Sequence, residues 1–170
     1  MIYPKRKITI TILILALLFI IFGIWYKYEY SMYKVEPYEV NSANLSRKLI
    51  IATQGSVFKD SITKCIVDYY KQDSIFIKVI DISSLKQIKP ENYNAIVVIH
   101  TWENWKPPAD VQLFMDRTQD YQYKIIVLTT SGRGSFKMEN VDAITGESKL
   151  ENLKSYSNSI IERLLPLLKY

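Results

Sequence analysis

Apolar residues recur along this chain in three rhythms. The first is one long run: from Ile8 to Trp25, ITITILILALLFIIFGIW, eighteen consecutive residues carry no charge. As a helix rising 1.5 Å per residue this run is roughly 27 Å long, close to the ~30 Å hydrocarbon thickness of a bilayer. The second rhythm is short and unbroken, in Leu49 to Ala52, Ala95 to Ile99 and Ile125 to Leu128. Such runs predict parallel strands covered on both faces. Ile75 to Ile80 is similar but contains Lys78, and Val141 to Ile144 contains Asp142. An embedded charge is tolerated best at a sheet edge, so these two predict edge strands. The third rhythm is helical. It places Ile62, Cys65, Ile66 and Tyr69 on one face of 60–71, and Val111, Phe114, Met115 and Tyr121 on one face of 109–121. In 149–168 the face includes Leu150, Leu153, Ile160, Ile161, Leu164 and Leu165. Pro107 and Pro108 stand where the second helix would begin, a position that tolerates a missing amide hydrogen. Residues 83–92 are short, contain Pro90 and support only a weak helix.

The resulting order, β-α-β-(α)-β-α-β-β-α, predicts an α/β domain built on a five-stranded parallel sheet with crossover connections. Three interior and two edge strands fit the order 2-1-3-4-5. Four segments follow: a basic segment at 1–7, a transmembrane anchor at 8–26, a tether at 27–46 and the α/β domain at 47–170. Lys34 to Ser46, KVEPYEVNSANLS, has neither alternation nor helical spacing, which suits a tether. The apolar run exceeds the 7 to 15 residues of a secretory leader and ends Phe22-Gly23-Ile24-Trp25 rather than in a small-residue cleavage site, so an uncleaved anchor is expected. Lys5, Arg6 and Lys7 precede it, against Lys27 and Lys34 after it. That bias predicts a single-pass membrane protein with a cytoplasmic N-terminus and an extracytoplasmic domain.

Charge narrows the partners. The formal net charge is +5. Residues 1–34 hold five basic residues and Glu29, a local +4, which leaves +1 for 35–170. The basic character belongs to the anchor and its flanks, and no nucleic-acid partner is expected. Cys65 is the single cysteine, so no intrachain disulfide can form. One cysteine and one histidine cannot build a Cys/His zinc site. The chain has no G-x-x-x-x-G-K-[ST] loop, no G-x-G-x-x-G after the first strand and no G-x-S-x-G elbow. No metal ligand set and no catalytic acid, base or nucleophile pair is assigned.

In sheets of this kind ligands bind beyond the carboxyl ends of the strands, where the order reverses between strands 1 and 3. Three turns should meet there. Thr53, Gln54, Gly55 and Ser56, with Lys59 in the following helix, offer hydroxyl, amide and backbone N–H groups at a helix N-terminus, a cradle for a phosphate. Thr101, Trp102, Asn104 and Trp105 supply large aromatic faces, and Ser131, Gly132 and Gly134 a turn with backbone donors for a heteroaromatic edge. Other readings stand beside these. The tryptophans can equally be a packing lid or a partner surface, and His100 a hydrogen-bonded residue at a strand end. Cys65 reads as a packed small hydrophobe, Arg133 as a solvated turn residue, and Asp142 with Glu147 as carboxylates of unknown separation.

On these residues, residues 47–170 resemble the flavodoxin-like family. The resemblance implies a three-layer sandwich. It also implies that Thr53 to Ser56 hold the phosphate of FMN, while the turns containing Thr101, Trp102, Asn104 and Trp105 and Ser131, Gly132 and Gly134 enclose its isoalloxazine ring. A membrane-anchored protein that transfers electrons or reduces a small acceptor is then expected. The alternative is a fold of the same family that has lost its cofactor and serves as a binding or scaffolding module at the membrane. The turn TQGSVFK departs from the family in having fewer hydroxyls, with Phe58 where another is common. A receiver domain of the same strand order would need acidic residues where this chain has Ala52-Thr53 and His100-Thr101.

Overall fold

The computed structural model describes residues 3–30 and 32–169. The side chains of Lys5, Lys27, Tyr28 and Tyr30, which flank the predicted anchor, and the whole of Ser31 and Tyr170 lie outside the described residues. The chain divides into two compact units, Met1–Met32 and Tyr33–Tyr170. The first is the helix α1, Tyr3–Tyr30. Its segment Arg6–Tyr26 is long and apolar enough to cross a membrane, with a mean hydropathy of 2.9. The large apolar side chains from Ile8 to Trp25 are 47% to 76% exposed all round the helix.

The second unit is a six-stranded sheet between two layers. Its strands are β1 (Tyr38–Val40), β2 (Arg47–Thr53), β3 (Ile75–Asp81), β4 (Ala95–Thr101), β5 (Ile125–Thr130) and β6 (Ala143–Gly146). They lie in the order β1-β3-β2-β4-β5-β6. All pairs are parallel except β1 with β3. Without β1 the order is the predicted 2-1-3-4-5, the flavodoxin-like arrangement. Alternate residues of the strands feed two cores. Leu49, Ile51, Val79, Val97, Ile99 and Leu128 face the helices α2 (Val57–Tyr70) and α4 (Leu153–Leu168). Ile50, Ala52, Ile80, Val98 and Val127 face α3 (Ala109–Arg117), the 3-10 turn Ile82–Gln87, and Met138 and Val141 of the β5–β6 connection. Each fully buried Leu, Ile or Val contributes about 1.5–3 kcal/mol of transfer free energy.

The structure refines the sequence reading at several elements near the site. The expected tether is partly built into the domain: Tyr38–Val40 forms β1, and the Val35 amide donates to Asp81 Oδ2 at 3.0 Å. β3 is therefore not an edge strand, and its embedded Lys78 lies opposite Glu39 and forms a 2.8 Å ion pair with it. The crossover between β3 and β4 consists of two 3-10 turns, Ile82–Gln87 and Pro90–Asn92, because Pro90 cannot continue a helix. Finally, β6 begins at Ala143, two residues later than expected. The buried face of α2 runs through Phe58, Ile62, Ile66 and Tyr70, leaving Cys65 half-buried and Tyr69 exposed.

Candidate functional site

The turns after β2, β4 and β5 meet above one rim of the sheet. Gln54 forms the joint. Its backbone N–H donates to the Ile99 carbonyl at 3.1 Å. Its side-chain Oε1 accepts from the Thr101 amide at 2.6 Å, and its Nε2 donates to Glu103 Oε1 at 3.1 Å. Thr101 and Thr130 share a hydroxyl–hydroxyl bond of 2.9 Å, and the Trp102 amide donates to the Thr130 carbonyl at 2.7 Å. Ser131 in turn donates its N–H to the Gly146 carbonyl at 3.0 Å. Gly134, with φ of +65°, sits so close to Gly146 that an added Cβ would lie 3.1 Å from its backbone.

The polar groups expected to cradle a phosphate already have partners inside the chain. Gly55 and Tyr33 form a reciprocal bridge, Gly55 N–H to Tyr33 O at 2.9 Å and Tyr33 N–H to Gly55 O at 3.1 Å. A Cβ on Gly55 would lie 2.2 Å from Tyr33 Cδ2, so glycine is required here by the approach of another segment of the chain. The Tyr33 hydroxyl donates to Asp60. Ser56 caps α2, its hydroxyl accepting from Lys59 N–H at 3.3 Å and from Lys59 Nζ at 3.4 Å. The Thr53 hydroxyl donates to the Gln54 carbonyl at 3.1 Å. Lys59 is fully buried, and burial pulls its ammonium down to about 8, partly opposed by the charge of Glu103.

The aromatic residues are also closed on one another. Phe136 stacks on Trp102 with ring centroids 5.9 Å apart and an 11° tilt, and lies nearly perpendicular to Trp105 at 5.9 Å. Trp105 is 78% exposed. It lies in a two-residue turn closed by reciprocal 3.0 Å bonds between Glu103 and Lys106. Both central residues are left-handed, Asn104 at φ 48° and Trp105 at φ 64°, a type I′ geometry that favours Asn-Gly and disfavours tryptophan. The Ser131 hydroxyl is buried without a hydrogen-bond partner. Gly132 and Asn104 are exposed. A groove of about 730 Å³ adjoins Trp102, between α3 and residues 137–141, but takes no wall from the turns at 53–59 or 131–134.

His100 is fully buried, with Nε2 2.9 Å from the Thr129 hydroxyl. Burial lowers it to about 4, the Thr101 carbonyl opposing and the charge of Lys59 adding, so it is a neutral packing residue at physiological pH. Asp142 pairs with Arg163 at 3.0 Å and Glu147 with Lys149, so those two carboxylates are engaged separately. Among the described residues no cluster of three His, Cys, Asp or Glu side chains can hold a metal ion.

Sequence reasoning brought the three turns together but missed Tyr33, Glu103 and Phe136, the residues that fill the space between them. Only Gly55 carried a signal, since an isolated glycine after a strand often marks the close approach of another backbone. As arranged, two of the three turns are closed by contacts within the chain itself. The phosphate turn is bridged by Tyr33, and one face of Trp102 is covered by Phe136.

No family model matches the sequence, and no curated protein does. Among solved structures the chain is similar to a flavodoxin from the Archaea, at 14% identity and a TM-score of 0.47, over 71% of this chain and 98% of that one. It is similar to oxidised flavodoxin 2 from Bacillus cereus at 16% identity and a TM-score of 0.45, over 71% and 99%. A third is general stress protein 14 from Treponema denticola in complex with FMN, at 13% identity and a TM-score of 0.37, over 71% and 97%. The bound FMN is a statement about the Treponema protein.

Proposed function

We propose that this protein is a membrane-anchored flavodoxin-like binding module that carries no resident FMN and presents its carboxyl-rim turns as a recognition surface. One observation carries this reading: the backbone N–H of Gly55, which a phosphate would need, is given to the carbonyl of Tyr33. Two carboxylates, Asp60 and Glu103, flank the same turn against the buried ammonium of Lys59, and a phosphate dianion there would meet net repulsion. The exposed Trp105 is the natural anchor of such a surface, since buried aromatic side chains dominate recognition energetics. The helix α1 supplies the membrane attachment, with the N-terminus in the cytoplasm and the domain outside.

The test is direct. The full chain purified in detergent should be colourless, and FMN added to it should leave tryptophan fluorescence without a saturable change. A yellow protein, or quenching that saturates and is weakened in Trp102→Ala or Trp105→Ala, would replace this reading with the second one. That second reading is an FMN protein engaged in electron transfer or reduction of a small acceptor, the flavin supplying the redox chemistry. It is favoured by the convergence of the three turns and by the partnerless hydroxyl of Ser131. Thr53, Gln54, Gly55, Ser56 and Lys59 would then hold the phosphate, and Thr101, Trp102, Asn104, Trp105, Ser131, Gly132 and Gly134 the ring.

A further inference from the structure

A hollow of about 360 Å³ lies beneath the segment 33–38 and takes no wall from the turns at 101–105 or 131–134. Three contacts fix that segment over it. Tyr33 is bridged to Gly55, the Val35 amide donates to Asp81, and Tyr38 stands opposite Val79 in the β1–β3 pairing. The segment supplies a roof through Tyr33, Val35 and Tyr38, while Val79 of β3 and Asp60 and Thr63 of α2 stand among the other walls. The volume is at the small end of the roughly 300–1,000 Å³ of ligand sites.

Most of the lining is apolar, and its polar groups gather on α2. Asp60 and Thr63 are three positions apart, hence neighbours on one helix face. Thr63 is 3% exposed, and its hydroxyl has no hydrogen-bond partner. A buried hydroxyl left so costs on the order of 1–3 kcal/mol. Ser61, Thr118 and Ser157 avoid that cost by donating to the carbonyl four residues back, a bond that Thr63 forgoes. Asp60 supplies the charge beside it. The Tyr33 hydroxyl donates to its carboxylate, and burial raises its pKa, partly opposed by a hydrogen bond with the Ser56 backbone. A carboxylate short of solvation gains from a cation. Glu36 and Lys34 also line the hollow, so its walls carry two carboxylates against one ammonium, and the charge of Lys34 is felt by Asp81.

We infer that the hollow beneath 33–38 binds a small organic ammonium ion, its N–H groups donating to the Asp60 carboxylate and the Thr63 hydroxyl and its apolar body lying against Val35, Val79 and Tyr38. Charge-assisted hydrogen bonds and nearby aromatic rings both favour such a cation. The site is separate from the rim surface proposed above and does not depend on whether that surface takes FMN. Because the segment 33–38 forms its roof, a bound ion also holds that segment down.

Phenethylamine and 2-phenylethanol form the test pair, because they share one body and differ in charge at neutral pH; phenylacetate is the anionic counterpart. Each is titrated calorimetrically into the full chain in detergent, against titrations into empty micelles, with amide hydrogen exchange at Tyr33 as a second readout. The amine should bind saturably, at least roughly tenfold more tightly than the alcohol, and slow exchange at Tyr33, while phenylacetate should not bind. Asp60→Asn should weaken the amine by a similar factor. Thr63→Val keeps the shape and removes the hydroxyl. It should weaken the amine severalfold while leaving the urea midpoint unchanged or higher, since an unpartnered polar group goes with it. That variant carries the test if Asp60→Asn does not fold. No saturable binding of the amine to the wild-type chain, an alcohol bound as tightly as the amine, any binding of phenylacetate, or undiminished amine binding by Thr63→Val overturns the inference. Each of these leaves the rim reading standing.

Discussion

Two single residues decide how the rim is closed and how the sheet responds to acid. Gly55 is the first. Alanine there would place a Cβ 2.2 Å from the Tyr33 ring and 2.3 Å from the Tyr33 carbonyl oxygen, so the segment that begins at Tyr33 has to move off the turn. Gly55→Ala is expected to cost about 1–3 kcal/mol, the range for breaking a packed hydrogen-bonded contact. Amide hydrogen exchange at Tyr33 and Val35 should accelerate while Val98 and Val127 in the sheet centre keep their protection. Unchanged protection at Tyr33 would mean that the bridge to Gly55 does not hold the segment. His100 is the second. Its folded value of about 4 lies below the ordinary 6.5, so the unfolded chain takes up the proton first as pH falls. Its contribution to stability is complete above pH 6.5 and is lost as pH falls toward 4, by roughly 3 kcal/mol at 1.36 kcal/mol per unit. Urea unfolding of the wild type and of His100→Asn at a series of pH values between those limits should show the steeper loss in the wild type. Equal slopes would place the acid sensitivity elsewhere.

At the scale of elements, the Glu103–Lys106 turn separates fold stability from surface function. Trp105→Gly places an Asn-Gly pair at the centre of a type I′ turn, relieving a left-handed tryptophan at a cost of the order of 1–3 kcal/mol for such strain. The variant should unfold at higher urea than the wild type even though it loses its largest exposed aromatic group. A lower midpoint would mean that the contact of Trp105 with Phe136 outweighs the backbone strain. The central strands were legible beforehand because 49–52, 95–99 and 125–128 are apolar on both faces, which only a buried parallel strand requires. β1 was not legible. Three residues, Tyr-Glu-Val, carry no period of their own, and their pairing with β3 is set by a contact some forty positions away in sequence. The same limit explains the site. Gln54, Thr101 and Thr130 could be brought together by strand order alone, whereas Tyr33 and Phe136 enter from segments without periodicity, and only the folded chain shows where they end. The buried face of α2 runs through Phe58, Ile62, Ile66 and Tyr70, turned away from the Cys65 and Tyr69 read from the middle of the helix, with Lys59, Thr63 and Val67 buried beside it.

For the whole molecule, the proposed function depends on which side of a membrane the rim would lie, and that is an electrostatic matter. Of the net +5, residues 1–34 hold +4, and these charges flank an apolar span that carries none from Ile8 to Trp25. Orientation responds to lysine and arginine close to the span, and carboxylates such as Glu29 count for little. Three basic residues precede the span and two follow it, Lys27 and Lys34, so the imbalance favours a cytoplasmic N-terminus by a single charge. A margin that small makes topology sensitive to mutation. An enzyme reporter active only outside the cytoplasm, fused after Tyr170, should be active on the wild-type chain. Replacing Lys5, Arg6 and Lys7 together by glutamine leaves Lys27 and Lys34 as the only nearby cations, and should invert a substantial fraction of the molecules, read as reporter activity falling while total protein stays constant. An inactive wild-type reporter would put the domain in the cytoplasm. The rim would then be open to cytoplasmic partners only, and the recognition surface around Trp105 would have to be tested against those.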